Sequence, residues 1–132
     1  MEEKQYFDML TDLFDRQKKS QEARGYEFPM DGQNAADYIK SHTLHCVDEL
    51  MEMLHEVKGY KEWKIYDFRD EQDNKCQRVK CKEELVDALH FFINIALALN
   101  ISAADLYLAY KNKESINYQR LHDTTHYKKD VE

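Results

Sequence analysis

The sequence predicts an all-α fold, a bundle of four to five helices completed by homodimerisation. Three observations carry this. The 132 residues include only three glycines and one proline, too few for a turn-rich β fold. Apolar residues recur at three- and four-residue spacing in several separate stretches. One of these stretches stays apolar nearly all round beyond Phe91, which is more than a single protomer can bury.

The elements follow in order. A first helix covers residues 3 to about 22, with Phe7, Leu10, Leu13 and Phe14 on one face. Gly25 and the Phe28-Pro29-Met30-Asp31-Gly32 stretch break it into a loop. A second helix is expected from near Asn34 to about Val57, with Leu44, Val47, Met51 and Leu54 as its inward stripe. Gly59 ends it, and residues 59–79 read as a polar connection dotted with Tyr60, Trp63, Tyr66 and Phe68. A connection of that length usually carries function or partial order. The third helix spans about 80 to 99, with Leu85, Leu89, Phe92, Ala96 and Leu99 as its core stripe. Asn100-Ile101-Ser102 marks a break, and Ser102 with Asp105 three residues on has the form of an N-cap pair. A fourth helix runs to about 121, and a polar tail follows from about 122. Residues 1–132 read as one domain.

Charge and composition narrow the function. The formal net charge of −7, from 26 acidic and 19 basic residues, argues against a nucleic-acid polymer as partner, since no basic stripe is present. A nucleotide remains open to an acidic chain if metal ions and a few local cations meet its phosphates. Cys46, Cys76 and Cys81 are odd in number and form no CxxC pair, as expected of reduced thiols in a cytoplasmic protein. Met-Glu-Glu-Lys at the start has no apolar h-region, so no secretory signal is expected. The apolar run from Phe91 to Leu99, interrupted by Asn94, is too short to cross a bilayer.

Chemistry concentrates in two acidic clusters, Asp48-Glu49-Leu50-Met51-Glu52 and Glu83-Glu84-Leu85-Val86-Asp87. Glu49 with Glu52, and Glu84 with Asp87, lie three residues apart and so share a helix face. Packed side by side, the two helices would gather four anionic ligands. Their repulsion then calls for a hard divalent cation such as Mg²⁺. Spacing alone leaves this reading beside a solvated acidic face. Glu56 and Glu83 are further candidates for the cluster. Glu84, Asp87, His90 and Asn94 form a polar strip along an otherwise apolar helix.

The histidines His42, His45, His55 and His90 do not form an H-x-x-x-H pair, which speaks against zinc. Near the end of the chain, Lys113, Asn117 and Arg120 recur at four and three residues on one helix face, either a solvated basic surface or a phosphate grip.

In combination these residues resemble the dimeric, all-α dUTPase family, within the all-α NTP pyrophosphatase group that includes MazG. That group's Glu-x-x-Glu and distant Glu-x-x-Asp read here as Glu49-Leu50-Met51-Glu52 and Glu84-Leu85-Val86-Asp87. Asp87-Ala88-Leu89-His90-Phe91 looks like the dUTPase branch's Asp-x-x-His-Phe, and Leu13-Phe14-Asp15-Arg16-Gln17 like its early helix ending in a glutamine that contacts the base. Trp63 falls in the branch's aromatic segment, and Lys113-x-x-x-Asn117-x-x-Arg120 followed by Tyr127 resembles its C-terminal phosphate motif. Three features depart from the pattern: the long spacing between carboxylate pairs, Glu114 where Asn is frequent, and His126 where Gly is common before the tyrosine.

The resemblance implies a homodimeric enzyme that hydrolyses dUTP to dUMP and pyrophosphate. Glu49, Glu52, Glu84 and Asp87 would hold Mg²⁺, with Glu49 and Glu52 catalytic and Glu49 favoured to orient or deprotonate the attacking water. Gln17, Asn94 and Phe91 or Trp63 would address the base and sugar, and His90 would hydrogen-bond to the ligand or to a carboxylate beside the metal. Lys113, Asn117, Arg120 and Tyr127 would hold phosphates. Two alternatives stand beside it: a pyrophosphatase for dCTP or a modified nucleotide, and a non-enzymatic helical interaction protein.

Overall fold

The computed structural model describes residues 8–57 and 71–123. Four helices make up the architecture: α1 (Met9–Ala23), α2 (Gly32–Glu56), α3 (Glu71–Ala98) and α4 (Ala103–His122), with no strand among the described residues. Residues 3–7, most of the aromatic connection with Trp63, and the tail with Tyr127 lie outside the described residues.

Local chemistry sets the helix ends. α1 stops at Gly25, whose φ of +99° suits a residue without a Cβ. The amides of Gly25 and Tyr26 bond back to the carbonyls of Glu22 and Gln21, a Schellman closure. α3 ends the same way on Asn100 at φ +57°, with Asn100 bonding to Leu97 and Ile101 to Ala96. Two residues later Ser102 opens α4 through a capping box, its Oγ accepting from the Asp105 amide at 3.0 Å while Asp105 accepts from the Ser102 amide at 3.3 Å. The expected break at 100–102 is thus a tight corner, and the axes of α3 and α4 bend by 103° across it.

α3 begins at Glu71, earlier than the expected start near 80. Residues 71–79 hold no Gly or Pro, and their Glu, Gln, Lys and Arg are good helix formers, so a polar composition hid a helical segment. Gln77 even points inward and is buried.

α2 and α3 lie antiparallel, since partners climb one helix as they descend the other. His42 meets Asn94, Cys46 donates its thiol to the Ala88 carbonyl, Cys81 donates to the Met53 carbonyl, and Lys80 approaches Glu56 at 3.8 Å. The last pair is exposed and contributes little to stability.

The expected inward stripes are corrected by this packing. Leu44, Val47 and Met51 of α2 are exposed, and so are Leu85, Leu89, Phe92 and Leu99 of α3; only Leu54 is half-buried and Ala96 buried. The faces that meet carry Tyr38, His42, Cys46, Glu49 and Met53 against Asn94, Phe91, Ala88, Glu84 and Cys81. Of the polar strip of α3, Glu84 and Asn94 face α2, Asn94 bonding to His42, while Asp87 and His90 stay exposed; the leucine stripe is left outside.

A small apolar core sits where α1, α3 and α4 converge, built on Phe14, Ile93, Ala96 and Ala103 with Leu10, Leu97, Ile101 and Leu106 against it. Beyond that junction α4 touches neither α2 nor α3 and leaves Tyr107, Leu108, Tyr110, Tyr118 and Leu121 in solvent, Tyr110 at 69% exposure. No single helix is long and apolar enough to cross a membrane among the described residues.

Candidate active site

The antiparallel pair brings three carboxylates together. Each of Glu49, Glu52 and Glu84 offers an oxygen within 4.8 Å of the other two. The residues stand at the edge of the helix pair, yet the Oε2 atoms of Glu49 and Glu84 are shut off from solvent with no hydrogen-bond partner. Orphaned buried carboxylate oxygens are rare and costly. Only a proton placed on one of the carboxyls, or a cation between them, can satisfy them.

The electrostatics agree. Contact with Glu84 pushes the Glu52 carboxyl above its ordinary range, first through a shared hydrogen bond and then through charge repulsion. Contact with Glu49, then burial, raises Glu84. For Glu49, contact with Glu84 favours the charged form, but burial and the charges of Glu52 and Asp87 outweigh it and the carboxyl is also raised. Asp87 acts on Glu49 and Glu84 through its charge and stands outside the tight trio. Glu83 is exposed, and Glu56 approaches Lys80, so neither belongs to the trio.

An all-oxygen anionic set with unsatisfied buried atoms fits a hard divalent cation such as Mg²⁺. A stability test follows. Because the folded carboxyls hold protons more tightly than the unfolded ones, the metal-free protein is favoured at pH below the ordinary carboxylate range. That advantage is lost as pH rises through the raised values. Mg²⁺ competes with those protons. It should therefore raise Tm at pH 7.5 by about 5 °C when present at tenfold its Kd, and much less at pH 4.5. Melting curves in EDTA and in Mg²⁺ at both pH values check this; equal curves at pH 7.5 would contradict a cation site.

One to three turns along α3 from Glu84, the chemistry changes from anionic to neutral. Phe91 is half-buried, stacked on His45 at 5.1 Å and edge-on to His42 at 5.5 Å. Next comes a buried polar chain. Gln17 Nε2 donates to Asn94 Oδ1 at 2.9 Å, and Asn94 Nδ2 donates to His42 Nδ1 at 3.1 Å. His42 stacks on Tyr38 at 3.8 Å, and Tyr38 donates its hydroxyl to Gln21 Oε1 at 2.8 Å. Burial pushes the Tyr38 phenol far up, and burial together with His45 lowers His42, so both stay neutral near pH 7. A cleft of about 570 Å³ opens beside this chain, lined by Tyr26, Tyr38, Ser41 and His42 and rimmed by Glu27, Asp31 and Asp37. It does not reach the carboxylates.

Phe91, Asn94 and the carboxylates therefore lie along the α2–α3 interface, and Gln17 reaches Asn94 from α1. The ten-residue step from Glu84 to Asn94 is roughly 15 Å. That is close to the span of an extended nucleoside triphosphate. His90 is exposed on α3 three residues after Asp87.

Lys113, Asn117 and Arg120 are exposed on α4, with Lys113 and Asn117 lining one shallow groove. Given the 103° corner and the rise of a helix, they lie roughly 20–30 Å from the carboxylates of the same protomer. One chain does not bring these two halves together.

The comparisons with known proteins bear on the same residues. A family model described as dUTPase matches residues 9–103. The chain belongs to the dUTPase family. No curated protein and no solved structure matches it. The dUTPase match runs from the first residue of α1 to the first of α4, so it takes in Gln17, both carboxylate pairs and Asn94. The basic face of α4 lies beyond it. The dUTPase family and the four described helices agree with the all-α class read from the sequence.

His42, Tyr38 and Gln21 were missed by sequence reasoning, which considered His42 only as a zinc ligand. One local signal existed: Gln17 with Gln21, and Tyr38 with His42, are both i, i+4 pairs that place polar groups on one helix face.

Proposed function

We propose that this chain is a Mg²⁺-dependent pyrophosphohydrolase that converts dUTP and water to dUMP and pyrophosphate, acting as a cytoplasmic homodimer. The observation that supports it most is the trio Glu49, Glu52 and Glu84, with two buried, unpartnered oxygens, inside a dUTPase-family chain. These three, with Asp87, would hold the ion, which supplies positive charge against the phosphate oxygens. Glu49 would orient the attacking water and take its proton. Gln17 and Asn94 would bind the uracil edge, and Phe91 and Trp63 would stack on the base or sugar. His90, three residues beyond Asp87, would hydrogen-bond to the nucleotide.

Dimerisation completes the site in this reading. The exposed leucines of α3 and the aromatic face of α4 form an apolar surface that a partner would cover, and an apolar concavity of about 490 Å³ between Leu10, Phe92, Leu106, Tyr107 and Tyr110 lies on it. A second copy would both cover that surface and present its Lys113, Asn117, Arg120 and Tyr127 to the phosphates.

The test is turnover of a panel of dNTPs with Mg²⁺, resolving mono- and pyrophosphate products. dUTP is expected to be cleaved fastest and only with the metal. Fastest cleavage of dCTP would move the assignment to the related pyrophosphatase activity, and no turnover of any nucleotide would leave a helical interaction protein.

A further inference from the structure

We propose that His42 is a positioning residue that selects uracil over cytosine by locking the amides of Asn94 and, through it, Gln17. The inference rests on Gln17 contacting the base, as set out above, and adds how its donor and acceptor are held in order.

Asn94 is 2% exposed, so water cannot replace a missing partner, and its amide must match both neighbours. An NH₂ group only donates. Hence the contact of Asn94 Nδ2 with His42 Nδ1 requires a lone pair on Nδ1 and the ring proton on Nε2. Asn94 Oδ1 then faces Gln17 and accepts from Nε2. Gln17 is left with Oε1 and one N–H in fixed positions. The reverse arrangement is equally bonded: a proton on His42 Nδ1 would turn Asn94 over, and Gln17 would turn with it. The two states present opposite orders of donor and acceptor.

Pyrimidines differ in that order. Uracil offers a donor at N3 beside the O4 acceptor, whereas cytosine offers an acceptor at N3 beside an amino donor. With Gln17 locked, only one order fits; with it free to turn, both do. Thymine has the same edge as uracil, so the lock cannot separate those two. Nothing in the relay needs charge. Burial and the neighbouring His45, which keep His42 neutral, are consistent with an accepting Nδ1.

The decisive variant is His42→Phe, which keeps a ring to stack on Tyr38 and removes the acceptor. The dUTP:dCTP ratio of kcat/KM should fall by about tenfold or more while the dUTP:dTTP ratio holds. A general loosening would change both ratios and overturn the relay, as would an unchanged dUTP:dCTP ratio. Selective ¹⁵N-histidine NMR on the unaltered protein tests the same idea without a mutation. The ring proton of His42 is expected on Nε2, and a proton on Nδ1 overturns the proposal. No turnover of any nucleotide by the unaltered protein would refute the enzymatic reading and the relay with it, whereas turnover without preference between dUTP and dCTP refutes the relay alone.

Discussion

Replacing Glu84 by glutamine is expected to cut kcat/KM for dUTP by at least about 100- to 1000-fold, the scale of losing a group that stabilises charge in the transition state. Glu84 is the junction of the trio: among the described residues it is the carboxylate of α3 that reaches both Glu49 and Glu52 on α2. Glutamine has the same shape but is a neutral, poorer ligand for a hard cation. Its amide can also donate to the orphaned oxygen of Glu49. In EDTA at pH 7.5 the variant should therefore melt no lower than the parent, and higher if repulsion dominates. The Mg²⁺-dependent rise in Tm should shrink. Activity and metal-free stability would move in opposite directions, which simple misfolding cannot imitate. Full activity in Glu84→Gln would end the metal assignment. Asp87→Asn should cost less, since Asp87 acts on the trio from outside it.

The second expectation concerns who supplies the phosphate grip. Arg120→Ala should lower kcat/KM by about 100-fold, the loss of a forked guanidinium from a transferring phosphate. Mixed with Glu84→Gln, two nearly dead proteins should recover activity. If the grip comes from the partner, half of a randomly mixed dimer population is heterodimeric, and each heterodimer carries one intact and one doubly damaged site. The mixture should then reach about a quarter of the parent's activity after subunit exchange. A grip supplied within one chain places one lesion in every site, and mixing restores nothing. Steady-state assays across mixing ratios separate the two. The roughly 20–30 Å between grip and carboxylates in one protomer favours recovery.

Much of this was legible in the residues, and what was not has a physical cause. Scarce glycine and proline pointed to helices, and the corner at Asn100-Ile101-Ser102 was visible because caps are local patterns. The two carboxylate pairs were visible for the same reason, a fixed three-residue repeat. Which face of α3 turns inward was not. Its apolar positions Leu85, Leu89, Phe92 and Ala96 recur at three- and four-residue spacing, so periodicity favoured Leu85 and Leu89 over Glu84 and Asn94. Burying Asn94 is tolerated because its partners Gln17 and His42 lie opposite, on other helices. The relay of residues 17, 94 and 42 was hidden likewise. Gln17 and Asn94 stood out singly, but a hydrogen bond across 77 positions leaves no trace in spacing.

The corner between α3 and α4 also works as a phase setting. A Schellman closure running directly into a capping box leaves almost no slack, so the rotation of α4 about its own axis is inherited from α3. One residue inserted after Ser102 would shift Lys113, Asn117 and Arg120 by only about 1.5 Å along the axis but turn them about 100° around it. The face offered to a partner is thus indexed like a gear tooth, and chain length at this point governs direction far more than distance.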